Sequence, residues 1–221
     1  MDEFNMNIIT LLLITATAFG LFGFAIGKRR NQWLDNVGES AVRKLLLEKF
    51  PGSDYHLMNN ITLPFEDGTT QIDHILVSRY GVFVIETKHY KGWIFGDEKS
   101  NTWTQIIYNV KSKFKNPIHQ NYRHILAVRN ILDFIPKEDI HSIVVFTGDA
   151  EFKTPWPNGV VHIFGLPEQI KEYNNIVMTE NRMQFCVGRI EAIRKIISNQ
   201  TDIEHQEYLL NKHSNRLHNN E

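Results

Sequence analysis

The sequence predicts an α/β domain, a central mixed sheet carrying a helix on each face, preceded by one N-terminal transmembrane helix. Three observations lead there. From Asn7 to Gly27, 21 consecutive residues carry no charge and most are apolar, a length that spans the hydrocarbon core of a bilayer at the helical rise. Beyond it, an amphipathic helical segment is followed by β-branched runs of period two, an insert, a second helix and a continuously apolar strand. The totals are those of a globular chain, 221 residues with 42% hydrophobic and 22% charged, which excludes collagen-like, wholly disordered and disulfide-stapled proteins. The single cysteine, Cys186, excludes an internal disulfide and a cysteine-based zinc site.

The elements follow in order. Asp2 and Glu3 precede the apolar run and no Lys or Arg does, which argues against a cleaved signal peptide. Lys28, Arg29 and Arg30 follow it directly, so the positive-inside bias places the N-terminus outside and the rest of the chain in the cytoplasm. The expected division is a membrane span at 7–27, a basic juxtamembrane linker at 28–34, a folded domain at 35–198 with its core at 35–146, and a polar tail at 199–221 with little to bury.

Within the domain, residues 35–50 read as a helix with Asp35 as N-cap and Pro51-Gly52 as its stop. A strand is expected at 55–62, then a Pro-Phe-Glu-Asp-Gly loop, then a hairpin of TQIDHILVS (70–78) and VFVIETK (82–88) around Arg79-Tyr80-Gly81. Strand-like segments lie at Trp93 to Phe95 and Trp103 to Tyr108. Asn116-Pro117 offers a cap and an N1 proline for a helix to about Phe134. SIVVF (142–146) reads as a buried strand, 160–164 as a further one, and 181–198 as a helix turning Phe185, Val187, Ile190, Ile193 and Ile197 inward.

Strand parity concentrates the chemistry. Period two places Val82, Val84, Glu86 and Lys88 on one face of their strand, and Gln71, Asp73, Ile75 and Val77 on one face of the other. A two-residue loop at Arg79-Tyr80 sets Asp73 opposite Glu86; a loop at Tyr80-Gly81 sets it opposite Lys88. Both registers cluster the same three groups. Adjacent carboxylates repel and call for a cation. Their hard oxygens suit Mg²⁺ or Mn²⁺, and Lys88 beside them could orient or help deprotonate a water. The plain alternative is a solvated salt bridge, against which stand the apolar neighbours Ile72, Ile75, Val82, Val84 and Ile85. Glu39 lies in line with Val42, Leu46 and Phe50 at the edge of its helix's apolar stripe. It either caps something or reaches the same site.

Gly38-Glu39, Gln71-Ile72-Asp73-His74 and the run Gly81 to Lys88, followed by Gly92 and Trp103, resemble the nuclease-related domain (NERD) family, assigned to the PD-(D/E)xK nuclease superfamily. The resemblance covers roughly 35–146 and implies a restriction-endonuclease-like αβββαβ core. It also implies Asp73 and Glu86 as metal ligands, the Thr87 carbonyl joining them, Lys88 as the water-positioning or charge-stabilising group and Glu39 as auxiliary ligand or general base. Gln120 would support the site, as would Gln71 on the Asp73 face. Ile72 stands where the superfamily motif has proline, a change that a strand backbone accommodates.

Local charge complements this picture. Residues 88–129 carry a net charge of +6 although the whole chain carries -1. Lys91, Lys111, Lys113, Lys115 and Arg123 are the candidate phosphate contacts, with Trp93, Trp103, Tyr108, Phe114 and Tyr122 interleaved. The alternative is that the tryptophans are core and the lysine run a solvated loop. His74 and His89 fall on the opposite strand face from Asp73 and Lys88, and His119 and His124 lack the spacing of a zinc pair. The expected protein is a membrane-anchored, Mg²⁺- or Mn²⁺-dependent nuclease acting on nucleic acid, foremost DNA, through a metal-activated water. A non-catalytic tethered module that binds nucleic acid or protein, or a purely structural membrane protein, are the alternatives.

Overall fold

The computed structural model describes residues 37–66 and 68–195. The expected span at 7–27, the linker at 28–34, the Asp35 cap and the tail at 199–221 lie outside the described residues. Among the described residues no helix is long and apolar enough to cross a membrane. The chain divides into two units, Met1–Val37 and Gly38–Glu221; the elements below belong to the second, apart from the first residue of its first helix.

The mixed α/β fold holds two sheets. Helix α1 (37–49) leads into β1 (Tyr55–Phe65), β2 (Gly68–Ser78) and β3 (Gly81–His89). An insert of β4 (Gly92–Phe95), β5 (Thr102–Ile107) and β6 (Val110–Lys115) precedes helix α2 (Pro117–Ile131) and β7 (Ile140–Thr147). Two short strands, β8 (Ala150–Phe152) and β9 (Val160–His162), and helices α3 (Leu166–Lys171) and α4 (Glu180–Ile193) complete the order. The first sheet runs β1-β2-β3-β7-β9 and the second β6-β5-β4-β8. The pairs β1–β2 and β2–β3 are antiparallel, and β3–β7 and β7–β9 are parallel.

Alternation of side chains along β2 and β3 sorts the core into two layers. Ile75, Val77, Val82 and Val84 pack beneath α2 and α4, against Ile125, Val128, Met183 and Ile190. Leu76, Phe83 and Ile85 point the other way onto Val42 and Leu46 of α1 and onto Phe50 just after it. A third cluster forms where Ile94 and Trp103 of the insert meet Phe146. Strand β3 is the hub, since residues 81–87 are all buried.

Several expectations are corrected. Strand β1 continues through Pro64 and Phe65 instead of breaking into a loop; as the edge strand of its sheet it tolerates a residue with no N–H. The lysine run 111–115 is a strand, not a loop, because β6 pairs with β5 from Thr102↔Lys115 to Ile107↔Val110. Helix α2 stops at Ile131 and α4 at Ile193, short of the ends expected at Phe134 and 198. Phe185 is 59% exposed, and the buried stripe of α4 is Met183, Cys186, Val187 and Ile190. That i, i+3, i+4, i+7 row competes with the one through Phe185 and is the one that meets β1 and β2.

His74 illustrates how the core couples to pH. It is 1% exposed on the α1 side of β2, its Nδ1 2.8 Å from Asn59 Oδ1. Burial holds its pKa down at about 4, against an ordinary 6.5. The unfolded chain therefore binds a proton that the folded chain refuses between these values, and stability falls as pH drops through that window. The expected loss between pH 7 and pH 4 is about 3 kcal/mol from this group. Urea unfolding at the two pH values measures it, and His74→Gln should flatten the dependence.

Candidate functional site

The hairpin register is settled by its turn. Ser78 pairs with Gly81 and Val77 with Val82, and the Ser78 hydroxyl donates to the Gly81 carbonyl at 2.9 Å while accepting the Tyr80 N–H at 3.1 Å. Those bonds close a two-residue Arg79-Tyr80 turn, so continuing the register brings Asp73 level with Glu86. The paired ladder stops at His74↔Ile85. One step on, Asp73 uses its side chain, and Oδ2 accepts the Thr87 N–H at 2.7 Å. On the other side the β1 residue level with Asp73, Asn60, has a left-handed φ of 52°, a conformation Asn accepts more readily than most residues. Both neighbours of β2 thus change geometry at Asp73.

Glu86 sits at 2% exposure where the apolar face of β3 ends. Its Oε1 accepts from Lys88 Nζ at 2.5 Å, and its Oε2 lies 3.0 Å from His124 Nε2. Lys88 Nζ also donates to Gln120 Oε1 at 3.2 Å. His124 in turn has Nδ1 2.7 Å from Thr70 Oγ1. Helix α2 supplies Gln120 and His124 one turn apart, and Asn121 between them fastens the helix to the sheet. Asn121 Nδ2 donates to the Val84 carbonyl at 3.0 Å and the Ile143 carbonyl at 3.1 Å. The start of α2 is set by Asn116, whose Oδ1 accepts the Ile118 N–H at 2.9 Å ahead of Pro117.

The electrostatics divide the two carboxylates. Burial pushes Asp73 up, and the charges of Glu86 and Glu39 push it the same way, so its carboxyl lies well above the usual range despite Lys88 and the Thr87 N–H. Burial would raise Glu86 too, but the Lys88 ammonium and the His124 hydrogen bond prevail and hold it at about 2. Lys88 is raised in concert: burial opposes its charge, and Glu86 and Asp73 outweigh that. Of the two carboxyls Asp73 is therefore the first to take up a proton as pH falls, while Glu86 and Lys88 stay an ion pair.

The structure brings Asp73, Glu86, Lys88, Thr87 and Gln120 together. Glu39 approaches from α1, on the opposite face of the sheet, and its charge is felt at Asp73. Its helix can come this close because Gly38 has no side chain: a Cβ there would lie 2.7 Å from Thr147 Oγ1 and 2.8 Å from His89 Cβ. Gln71 is exposed on β2, level with Thr62. Lys91 is exposed before β4, and Lys111, Lys113 and Lys115 are exposed on β6. Arg123 is turned to Glu66 at 3.4 Å, with its guanidinium 5.4 Å from the centre of the Phe65 ring. Trp103 is 1% exposed and belongs to the core, and Phe114 is half-buried against Tyr90, while Trp93, Tyr108 and Tyr122 are exposed.

His124 and Thr70 escape the sequence reading. The available signal was Gln120: four residues on, one helical turn later, His124 occupies the same face. His74 and His89 do lie away from the carboxylates, His89 Nδ1 being 2.9 Å from Thr147 Oγ1.

The donors are hard oxygens: the buried Glu86 carboxylate, the half-buried Asp73 carboxyl and Glu39 nearby, beside one ammonium. Among the described residues no group of three or more His, Cys, Asp or Glu side chains stands at metal-holding spacing. Carboxylate oxygens are the donor type that Mg²⁺ or Mn²⁺ takes, and Mg²⁺, which keeps several waters, needs only one or two of them plus substrate phosphate.

Comparison with known proteins adds a family. The model of the nuclease-related domain matches residues 34–147. Over 218 residues the chain is 32% identical to a Bacillus anthracis protein described as uncharacterized, an alignment covering 94% of this chain and 98% of that relative. No solved structure matches.

Proposed function

Since the chain belongs to the nuclease-related domain family, we propose that it is a membrane-anchored, Mg²⁺- or Mn²⁺-dependent nuclease of restriction-endonuclease-like fold that hydrolyses phosphodiester bonds, with DNA the first substrate to test. The observation that carries this reading is the half-buried Asp73 level with the buried Glu86, with the Lys88 ammonium 2.5 Å from Glu86. The N-terminal apolar run supports the anchor, with the catalytic domain in the cytoplasm.

In the reaction, a water oxygen bonds to phosphorus while an ester P–O bond breaks, giving a phosphate monoester and an alcohol. Asp73 and Glu86, with the Thr87 carbonyl and Glu39 as the further candidates, would hold the ion. When bound, it supplies Lewis-acid stabilisation of phosphoryl charge and a more acidic water. Lys88 presents a positive charge to the developing oxyanion. Gln120 restrains Lys88, and His124, braced by Thr70, restrains Glu86; such supporting contacts fix the geometry that catalysis needs.

A second reading has one observation in its favour. Both Glu86 oxygens already have partners, Lys88 and His124, the arrangement of a self-contained ion pair in a binding module without catalysis. Two measurements separate the readings. The full-length chain in detergent should cut DNA or RNA with Mg²⁺ or Mn²⁺ and not with EDTA; no cleavage of either polymer by either ion defeats the nuclease reading. Thermal unfolding supplies the other. The folded pKa of Asp73 is above its ordinary 3.8, so its ionised form costs stability at neutral pH. Asp73→Asn should therefore raise the metal-free Tm, by about 2–4 °C per kcal/mol recovered, and abolish any rise in Tm that Mn²⁺ gives the parent.

A further inference from the structure

The second sheet turns one face to the core and leaves the other in solvent. Ile94, Trp103 and Phe114 face inward toward Phe146 and Tyr90. By strand parity and the β4–β5–β6 register, the outer face carries Trp93 and Phe95 on β4, Thr104 and Ile106 on β5, and Lys111 and Lys113 on β6. Lys115 completes a row of three ammonium groups, and β5 and β6 contain no acidic residue between Thr102 and Lys115. Trp93 is 48% exposed, and Lys153 Nζ, also paired with Glu151, stands 4.8 Å from the centre of its ring.

The same face runs into a cavity of about 640 Å³, which Phe95, Thr102, Thr104 and Trp156 help to line. Trp156 is 43% exposed and is held flat by stacking on Phe152, ring centres 3.9 Å apart. Phe152 covers one ring face and Phe146 stands perpendicular at 6.5 Å between ring centres, so a base can reach the part of the indole that remains exposed. The cavity also has acidic neighbours, Asp97 and Glu98. Their carboxylates are engaged, Asp97 with the Ser100 and Lys99 N–H groups and Glu98 with the Asn158 N–H at 3.1 Å.

The sheet is rooted at the candidate active site. Strand β4 starts four residues after Lys88. Gly92, with a φ of 79°, admits the Ile106 carbonyl so closely that a Cβ would lie 2.4 Å from it. The far strand returns through Asn116 into α2, four residues before Gln120. Both ends of the insert are thus fixed beside the candidate site.

We propose that the outer face of the second sheet, from the Lys111–Lys113–Lys115 row to the cavity beside Trp156, holds a single strand of nucleic acid whose unstacked bases lie on Trp93 and Trp156. The inference rests on the nuclease reading and names its substrate class. Single-stranded rather than duplex nucleic acid is favoured because exposed indole faces stack only on bases freed from a helix. A cavity of this volume receives a nucleotide-sized group, whereas the bases of a duplex remain inside the rod. The lysine row faces the phosphates that such a strand presents.

The test is a titration of the full-length chain in detergent against a fluorescein-labelled single strand of about 15 nucleotides, and against a duplex of the same sequence, in EDTA so that nothing is cut. The strand should bind at least ~10-fold more tightly than the duplex. The triple variant K111E/K113E/K115E should lower strand affinity about 100-fold and flatten the slope of log K against log salt by about 2, at ~0.7 per phosphate contact. Trp156→Ala should cost about 10-fold with the slope unchanged.

Duplex preference in the parent, or an unchanged affinity and slope in the triple variant, overturns the assignment of this face. If the parent still cleaves nucleic acid with Mn²⁺ in that case, the nuclease reading stands alone. A chain that neither binds nor cleaves nucleic acid takes both down. Binding to phosphatidylserine vesicles in place of the strand, lost in the triple variant, reassigns the face to a membrane surface and equally overturns the proposal.

Discussion

Glu86→Gln is expected to lower metal-dependent cleavage by about 10³-fold or more while leaving the fold intact. Gln keeps the shape of the side chain and can still reach Lys88 and His124, so the change removes the charge without opening a cavity. It also leaves Asp73, raised first by burial, without one of the two anionic neighbours that add to the shift, Glu39 being the other. Initial rates on a fluorogenic DNA substrate in Mn²⁺, beside an unchanged circular dichroism spectrum, give the comparison. A variant that cuts as fast as the parent removes Glu86 from the chemistry and with it the proposed site.

The second large effect concerns stability. Lys88→Met is expected to destabilise the domain by about 3–5 kcal/mol, the cost of leaving a buried carboxylate without its cation. Glu86 is 2% exposed and the Lys88 side chain 17%, so water does not replace the ammonium. His124 alone shares the load. Adding Glu86→Gln should recover most of the loss, since a pair in which neither group is charged carries a far smaller desolvation penalty. Urea unfolding of parent, single and double variants measures the cycle. A single-variant loss below about 1 kcal/mol would mean that the pair behaves as an exposed surface bridge.

Strand parity made the centre of the site legible before any coordinates. Asp73, Glu86 and Lys88 fall on one face of a hairpin for any register that its turn permits, because side chains alternate strictly. The choice between registers was not legible, for it depends on the Ser78 hydroxyl spanning the turn to the Gly81 carbonyl. His124 was missed for a related reason: what recruits it is Thr70, 54 positions earlier in the chain, and a helical period carries no information about a partner that far away.

The element order was similarly accessible and the layering was not. The insert shows two of its three strands in the sequence, β6 passing there for a lysine run, and the second sheet also takes in β8, which pairs with β4 from beyond β7. Trp103 and Trp93 are alike in composition terms. Parity on two different strands buries the first and exposes the second.

Lys88 and Gln120 touch across 32 positions of sequence, and nearly all of the chain between them is the insert. The contact closes that excursion as a loop, and the entropy of closing a loop grows only with the logarithm of its length. Strands in the insert can be lengthened, shortened or given a new surface while the two ends that bear the chemistry stay where β3 and α2 hold them. On the proposed reading, what the protein grips and how it reacts can therefore diverge independently, because the segment that would carry substrate range varies without reaching the proposed reacting groups.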